Sequence, residues 1–257
     1  MDDRELIKAF VDYLQENGYP AIKIDCWPED KNPNISDIDA VAGQFAIEHT
    51  SVDTLPNQRR DSDWFMQVFG GLKNEINPIP FRLRIIIEYG AVAKGQKWTP
   101  IRESLKTWII SHAYNLLDGR HLVDNAPGIP FRMHVMKQSN RPAGLFFGRF
   151  KPDDDTLHIR VRNLLDRKAG KLAKYHKSGT TTVLLIESDD IALMNEFRML
   201  EAIQEAYPEG LPGGVDEIWY ADTSIPTEIE FYNFREETKN KIKEAIIAHP
   251  LHKDGDP

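Results

Sequence analysis

The chain has 257 residues, 41% of them apolar, and its 32 Lys and Arg against 40 Asp and Glu leave a net charge of −8. That length carries one large α/β domain or two small ones around a substantial core. The charge excludes a uniformly basic coat for nucleic acid, and the lone Cys26 excludes an internal disulfide.

No apolar run reaches transmembrane length, and the charged start Met1-Asp2-Asp3-Arg4-Glu5 lacks the apolar centre of a signal peptide, so a cytoplasmic location is expected. The sequence has no Cys-based zinc pattern, no glycine-rich phosphate loop and no nucleophile elbow.

Leu6, Phe10 and Leu14 recur at four-residue spacing, which predicts a helix over residues 3–17, stopped by Gly18-Tyr19-Pro20. A short strand is predicted over 21–26. After a polar loop, two apolar runs meet at Gly43-Gln44 and predict a β-hairpin. Strand alternation puts Asp37 and Asp39 on one face of the first run, and Ala46, Glu48 and Thr50 on one face of the second. Residues 61–76 predict a helix capped by Asp61 or Ser62, with Trp64, Phe65, Val68, Phe69, Leu72 and Ile76 on one face. Residues 81–89 predict a strand.

Thr99-Pro100 opens the next predicted helix, which runs to about residue 117. Strands over 130–136 and 144–150, a helix over 156–175, a buried strand over 181–187, a helix over 190–206 and a strand over 215–221 follow. An edge strand over 229–234, a last helix over 236–247 and a disordered tail from Lys253 complete the reading. The fold class expected is α/β, a mixed sheet flanked by helices. Residues 1–92 form its core, and 93–252 form an α/β elaboration, separate or continuous with the same domain.

The charge is uneven. Residues 131–178 hold 12 Lys and Arg against four Asp, a local +8 that leaves −16 on the rest, which suits a localised polyanion contact. On the 156–175 helix, Arg160, Arg167, Lys171 and Lys174 fall within about 60° of each other, forming a stripe that either contacts phosphate or faces solvent. Lys168 falls in the apolar sector of that helix with Leu157, Val161, Leu164, Leu165 and Leu172. A charge there either snorkels or reaches a polar pocket. Across the hairpin, two converging carboxylates suit a hard divalent cation. Glu48 interrupts the run Phe45-Ala46-Ile47, where an unpaired buried charge is costly.

The order helix, strand, acidic hairpin, helix, strand over residues 3–90 resembles the PD-(D/E)XK nuclease superfamily, with its restriction-endonuclease-like fold. The resemblance implies Mg²⁺ or Mn²⁺ held by Asp39, Glu48 and the carbonyl of His49, and hydrolysis of DNA or RNA, by family analogy in restriction or phage defence. Asp37 competes with Asp39 for the first role. Glu5 matches an additional helix acid found in some members. The chain departs from the pattern at Thr50, which stands where the family places a lysine and is a neutral hydroxyl. Lys168 is the candidate for a lysine supplied from elsewhere. His49 points to the opposite face, as a structural histidine. Nucleic acid is the implied partner; a homodimer or a partner subunit stays open. The alternative is a non-catalytic nucleic-acid- or partner-binding module on a degenerate nuclease fold. A third reading is an unrelated α/β protein in which the acids are incidental.

Overall fold

A computed structural model describes residues 2–31 and 37–234. The helix expected over 236–247 and the tail from Lys253 lie outside the described residues. In chain order, α1 (Asp3–Glu16), β1 (Ile24–Cys26), α2 (Pro28–Lys31), β2 (Ala40–Ala42) and β3 (Phe45–Ser51) come first. Next are α3 (Gln58–Phe69), α4 (Leu72–Glu75), β4 (Arg82–Ile87), α5 (Trp98–His112), β5 (Gly119–Val123), β6 (Met133–Gln138) and β7 (Gly144–Arg149). Then α6 (Leu157–Leu172), β8 (Thr181–Ser188), α7 (Glu196–Ala206), β9 (Glu217–Asp222) and β10 (Glu230–Asn233) complete the order. No helix among the described residues is long and apolar enough to cross a membrane.

The α/β class holds, as two mixed sheets flanked by helices. The chain divides into two compact units: one comprises residues up to Thr54 and from Asp155 onward, the other is Leu55–Asp154. The division therefore does not fall near residue 92. Instead, the second unit is inserted between β3 and α6.

The first unit is a six-stranded sheet in the order β1-β2-β3-β8-β9-β10. β1, β2 and β3 form an antiparallel meander, β3, β8 and β9 run parallel, and β10 closes the edge antiparallel to β9. The central strands are buried on both faces. In β8, Val183, Leu184, Leu185 and Ile186 are all fully inaccessible, the continuous apolar run expected of a covered parallel strand. Alternation sends Ala46, Leu184 and Ile186 toward α6 and α7, where Val161, Leu165 and Leu200 meet them. Ile47, Val183 and Leu185 turn the other way, onto Leu6, Phe10 and Leu14 of α1. Each such fully buried aliphatic contributes about 1.5–3 kcal/mol. The result is a three-layer α/β/α unit.

Asp2 caps α1, its carboxylate accepting from the Glu5 amide at 2.7 Å while the Glu5 carboxylate accepts from the Asp2 amide at 3.2 Å. Glu5, the candidate helix acid, is thus engaged in capping. The hairpin turn needs Gly43, which sits at φ +53° and whose amide donates to Asp25 Oδ2 at 2.7 Å.

The second unit is a four-stranded sheet in the order β5-β6-β4-β7, with β4 antiparallel to β6 and parallel to β7. One face packs on α3 and α5, with Leu83, Ile85 and Val135 against Val68, Leu105 and Ile109. The strand expected over 81–89 therefore belongs to this sheet and not to that of the acidic hairpin. The helix expected over 61–76 is broken, because Gly71 adopts φ +71° and separates α3 from α4. The helix expected from residue 190 starts at Glu196, after Asn195 caps it and Asp190 collects the amides of Ala192 and Leu193 in a preceding turn.

Candidate metal and phosphate site

β2 begins at Ala40, so Asp37 and Asp39 precede the strand rather than lie on it. The antiparallel register pairs Ala40 with Ile47, which brings Asp39 alongside Glu48. Asp39 Oδ2 accepts the His49 backbone N–H at 2.6 Å, fixing the carboxylate against β3 and leaving Oδ1 as the oxygen able to take a ligand. Asp37 is committed elsewhere: its Oδ1 accepts the Tyr175 hydroxyl at 3.0 Å and the Ile38 amide at 2.9 Å. Burial and that hydrogen bond to Asp37 push the Tyr175 phenol up to about 12.

Glu48 is fully inaccessible and faces α6. Lys168 Nζ donates to its Oε1 at 2.5 Å, and Lys171 Nζ lies 3.0 Å from the same oxygen. The other oxygen, Glu48 Oε2, is buried and has no hydrogen-bond partner. Burial pushes the Glu48 carboxyl above the ordinary range. The hydrogen bond from Lys168 opposes this, and the charge of Asp39 adds to it. Burial alone would lower Lys171, but its hydrogen bond to Glu48 and the surrounding carboxylates outweigh this and raise it. Two lysines thus converge on one oxygen of a buried acid whose other oxygen is idle.

Lys168 sits in the apolar sector of α6 beside the buried Leu165, Ala169 and Leu172 because its head reaches the Glu48 carboxylate across the helix–sheet interface. The i, i+3 spacing of Lys168 and Lys171 turns both toward β3. Around them, Arg167, Gly170 and Lys174 line an open groove of about 510 Å³. Arg160 stands apart from that groove. Its guanidinium donates to the Thr54 carbonyl at 2.6 Å and to Thr156 Oγ1 at 2.7 Å, tying down the start of the helix. Lys171 also lies 3.5 Å from Glu29 of α2, a neighbour that sequence spacing did not signal.

Thr50 is buried on the Glu48 face of β3. The His49 ring, 4% exposed, lies on the opposite face, with Nε2 3.1 Å from Glu187 Oε2 and Nδ1 3.5 Å from Asp3 Oδ1. Burial would raise Glu187, but hydrogen bonds from His49 and from Thr223 Oγ1, the latter at 2.8 Å, hold it below the usual carboxylate range. His49 can therefore meet the Glu48 side only through its backbone. Glu187 was not among the residues the sequence pointed to, although it sits at the polar end of the apolar run in β8.

Among the described residues no three His, Cys, Asp or Glu side chains are grouped to hold a metal ion. Asp39 and Glu48 are two oxygen donors of the hard type that Mg²⁺ accepts, and Mg²⁺ is commonly bound by one or two carboxylates plus water and substrate phosphate. The idle Oε2 of Glu48 fits such a ligand. Compared with known proteins, the chain matches no protein-family model, no curated protein and no solved structure.

Proposed function

We propose that the chain is a divalent-metal-dependent nuclease of the PD-(D/E)XK type whose lysine is carried by the crossover helix. The observation that carries the reading is Lys168 Nζ at 2.5 Å from the inaccessible Glu48 carboxylate, beside Asp39. The order α1, antiparallel β1-β2-β3, α6 and parallel β8, with residues 55–154 inserted before α6, supports a restriction-endonuclease-like core. Asp39, Glu48 and the His49 carbonyl would hold Mg²⁺ or Mn²⁺, which when bound supplies a Lewis acid and lowers the pKa of its water. Lys168 and Lys171 place two cationic heads where charge develops on the phosphate, the part Thr50 cannot play. Arg167 and Lys174, on the rim of the groove, hold the flanking backbone of DNA or RNA.

A second reading, a non-catalytic binding module, is favoured by one observation: Glu48 Oε1 is already served by two lysines. The two separate in one experiment, incubation of labelled single-stranded DNA, duplex DNA and RNA with Mg²⁺ or Mn²⁺. The nuclease reading expects cleavage that Asp39→Asn and Glu48→Gln abolish. Oligonucleotide binding with no cleavage in either metal establishes the second reading instead.

A further inference from the structure

The second unit covers only one face of its sheet. The other face carries Phe146 of β7, 45% exposed, Leu122 of β5, 54% exposed, and Phe150, 38% exposed. Register places Phe146 beside Arg84, and Arg84 beside Met136, which in turn lies beside Arg120 of β5. The Arg82 guanidinium lies over the Phe146 ring at 4.6 Å, and its Nε is buried without a hydrogen-bond partner. Phe150 meets the His134 ring edge-on at 4.8 Å. On β7 the positions on this face are Gly144, Phe146 and Gly148, and the Phe146 ring leans over Gly144, where an added Cβ would meet it at 3.1 Å.

Charge says what fits there. Among the described residues Arg82, Arg84 and Arg120 make no ion pair, and the register puts no acid on the face between them. The two acids at its far end, Glu88 and Asp124, both act on Arg132, which hydrogen-bonds Asp124 at 2.6 Å. A sheet face with two exposed rings and three guanidinium groups outside any ion pair, one of them already stacked on a ring, matches one chemistry. Stacked bases lie on the rings while arginines follow the backbone phosphates. A protein partner would meet three uncompensated positive charges within its apolar centre.

We infer that the open face of the β5-β6-β4-β7 sheet binds single-stranded nucleic acid. The inference gives the proposed nuclease a surface for an unpaired strand, and its test does not depend on cleavage. Full-length protein in EDTA is titrated into a fluorescein-labelled oligothymidylate of about 12 nucleotides, an oligouridylate of equal length and a blunt duplex, read by anisotropy. Both single strands are expected to bind more tightly than the duplex. The Phe146→Ala/Phe150→Ala pair is expected to weaken strand binding about fivefold or more, in keeping with loss of stacking. Arg84→Gln/Arg120→Gln is expected to reduce the salt dependence by about two phosphate contacts. All four positions are at the surface, and circular dichroism melts confirm folding of each variant. No strand binding by the wild type, equal affinity in both variant pairs, or a dimer in sedimentation equilibrium that Phe146→Ala dissolves overturns the inference. Absence of cleavage with strand binding intact would instead count against the metal centre alone.

Discussion

Replacing Lys168 by Met removes the shorter of two ion pairs to a carboxylate that has no solvent access. Removing one partner of a buried pair costs about 3–5 kcal/mol where nothing else compensates. Here Lys171 remains 3.0 Å from the same oxygen and the Lys168 side chain is 18% exposed, so the loss at neutral pH is taken as about 2 kcal/mol. For a domain of this size that lowers the Tm by roughly 4–8 °C. The loss depends on pH. Glu48 is already raised by burial and by Asp39, and without Lys168 it rises further. An acid raised on folding stabilises the folded state below its unfolded pKa, and that contribution disappears as pH rises through the folded value. The deficit of Lys168→Met is therefore larger near pH 8 than near pH 5, shrinking as falling pH returns the proton to Glu48. Calorimetric melts of both proteins in EDTA at the two pH values measure it. An equal deficit at both, or none at the higher pH, refutes a buried Glu48–Lys168 pair.

Glu187 behaves in the opposite sense, because its folded pKa is depressed by His49 and Thr223. Its contribution is present above the unfolded value and lost as pH falls through the folded one, so Glu187→Gln should lower Tm at neutral pH and match wild type in acid. Melts of that variant from neutral to acid pH check it; a constant difference contradicts it. Gly214→Ala tests a close approach: at φ +86° a new Cβ would lie 2.8 Å from the Ala173 Cα. A loss of about 2 kcal/mol or more in urea unfolding is expected, and unchanged stability contradicts the geometry.

The layers of the first unit were legible because α1, α6 and β8 carry strong periodicity or unbroken apolar runs. Lys168 was legible as a misfit, a charge inside an apolar stripe that either snorkels or reaches a polar partner, and only the structure chooses the partner. The pairing of β3 with β8 was not, since residues 47 and 183 meet across a whole inserted unit and no local pattern encodes that contact. β4 shows the same limit: its alternation is correct for a strand, but which sheet it joins depends on α3 and α5. β5 escaped notice because Gly-Arg-His-Leu-Val is polar and exposed at a sheet edge, with too little alternation to announce itself. Asp37 and Asp39 looked equivalent by alternation. Tyr175, distant in sequence, is what distinguishes them.

The central claim is that Asp39, Glu48 and Lys168 form one hydrolytic centre, and single-turnover cleavage of a labelled oligonucleotide in saturating Mn²⁺ tests it most directly. The account predicts cleavage by wild type, none by Glu48→Gln, and a rate reduced about 10²-fold or more by Lys168→Met with Mn²⁺ affinity retained. Cleavage by Glu48→Gln at the wild-type rate would contradict it.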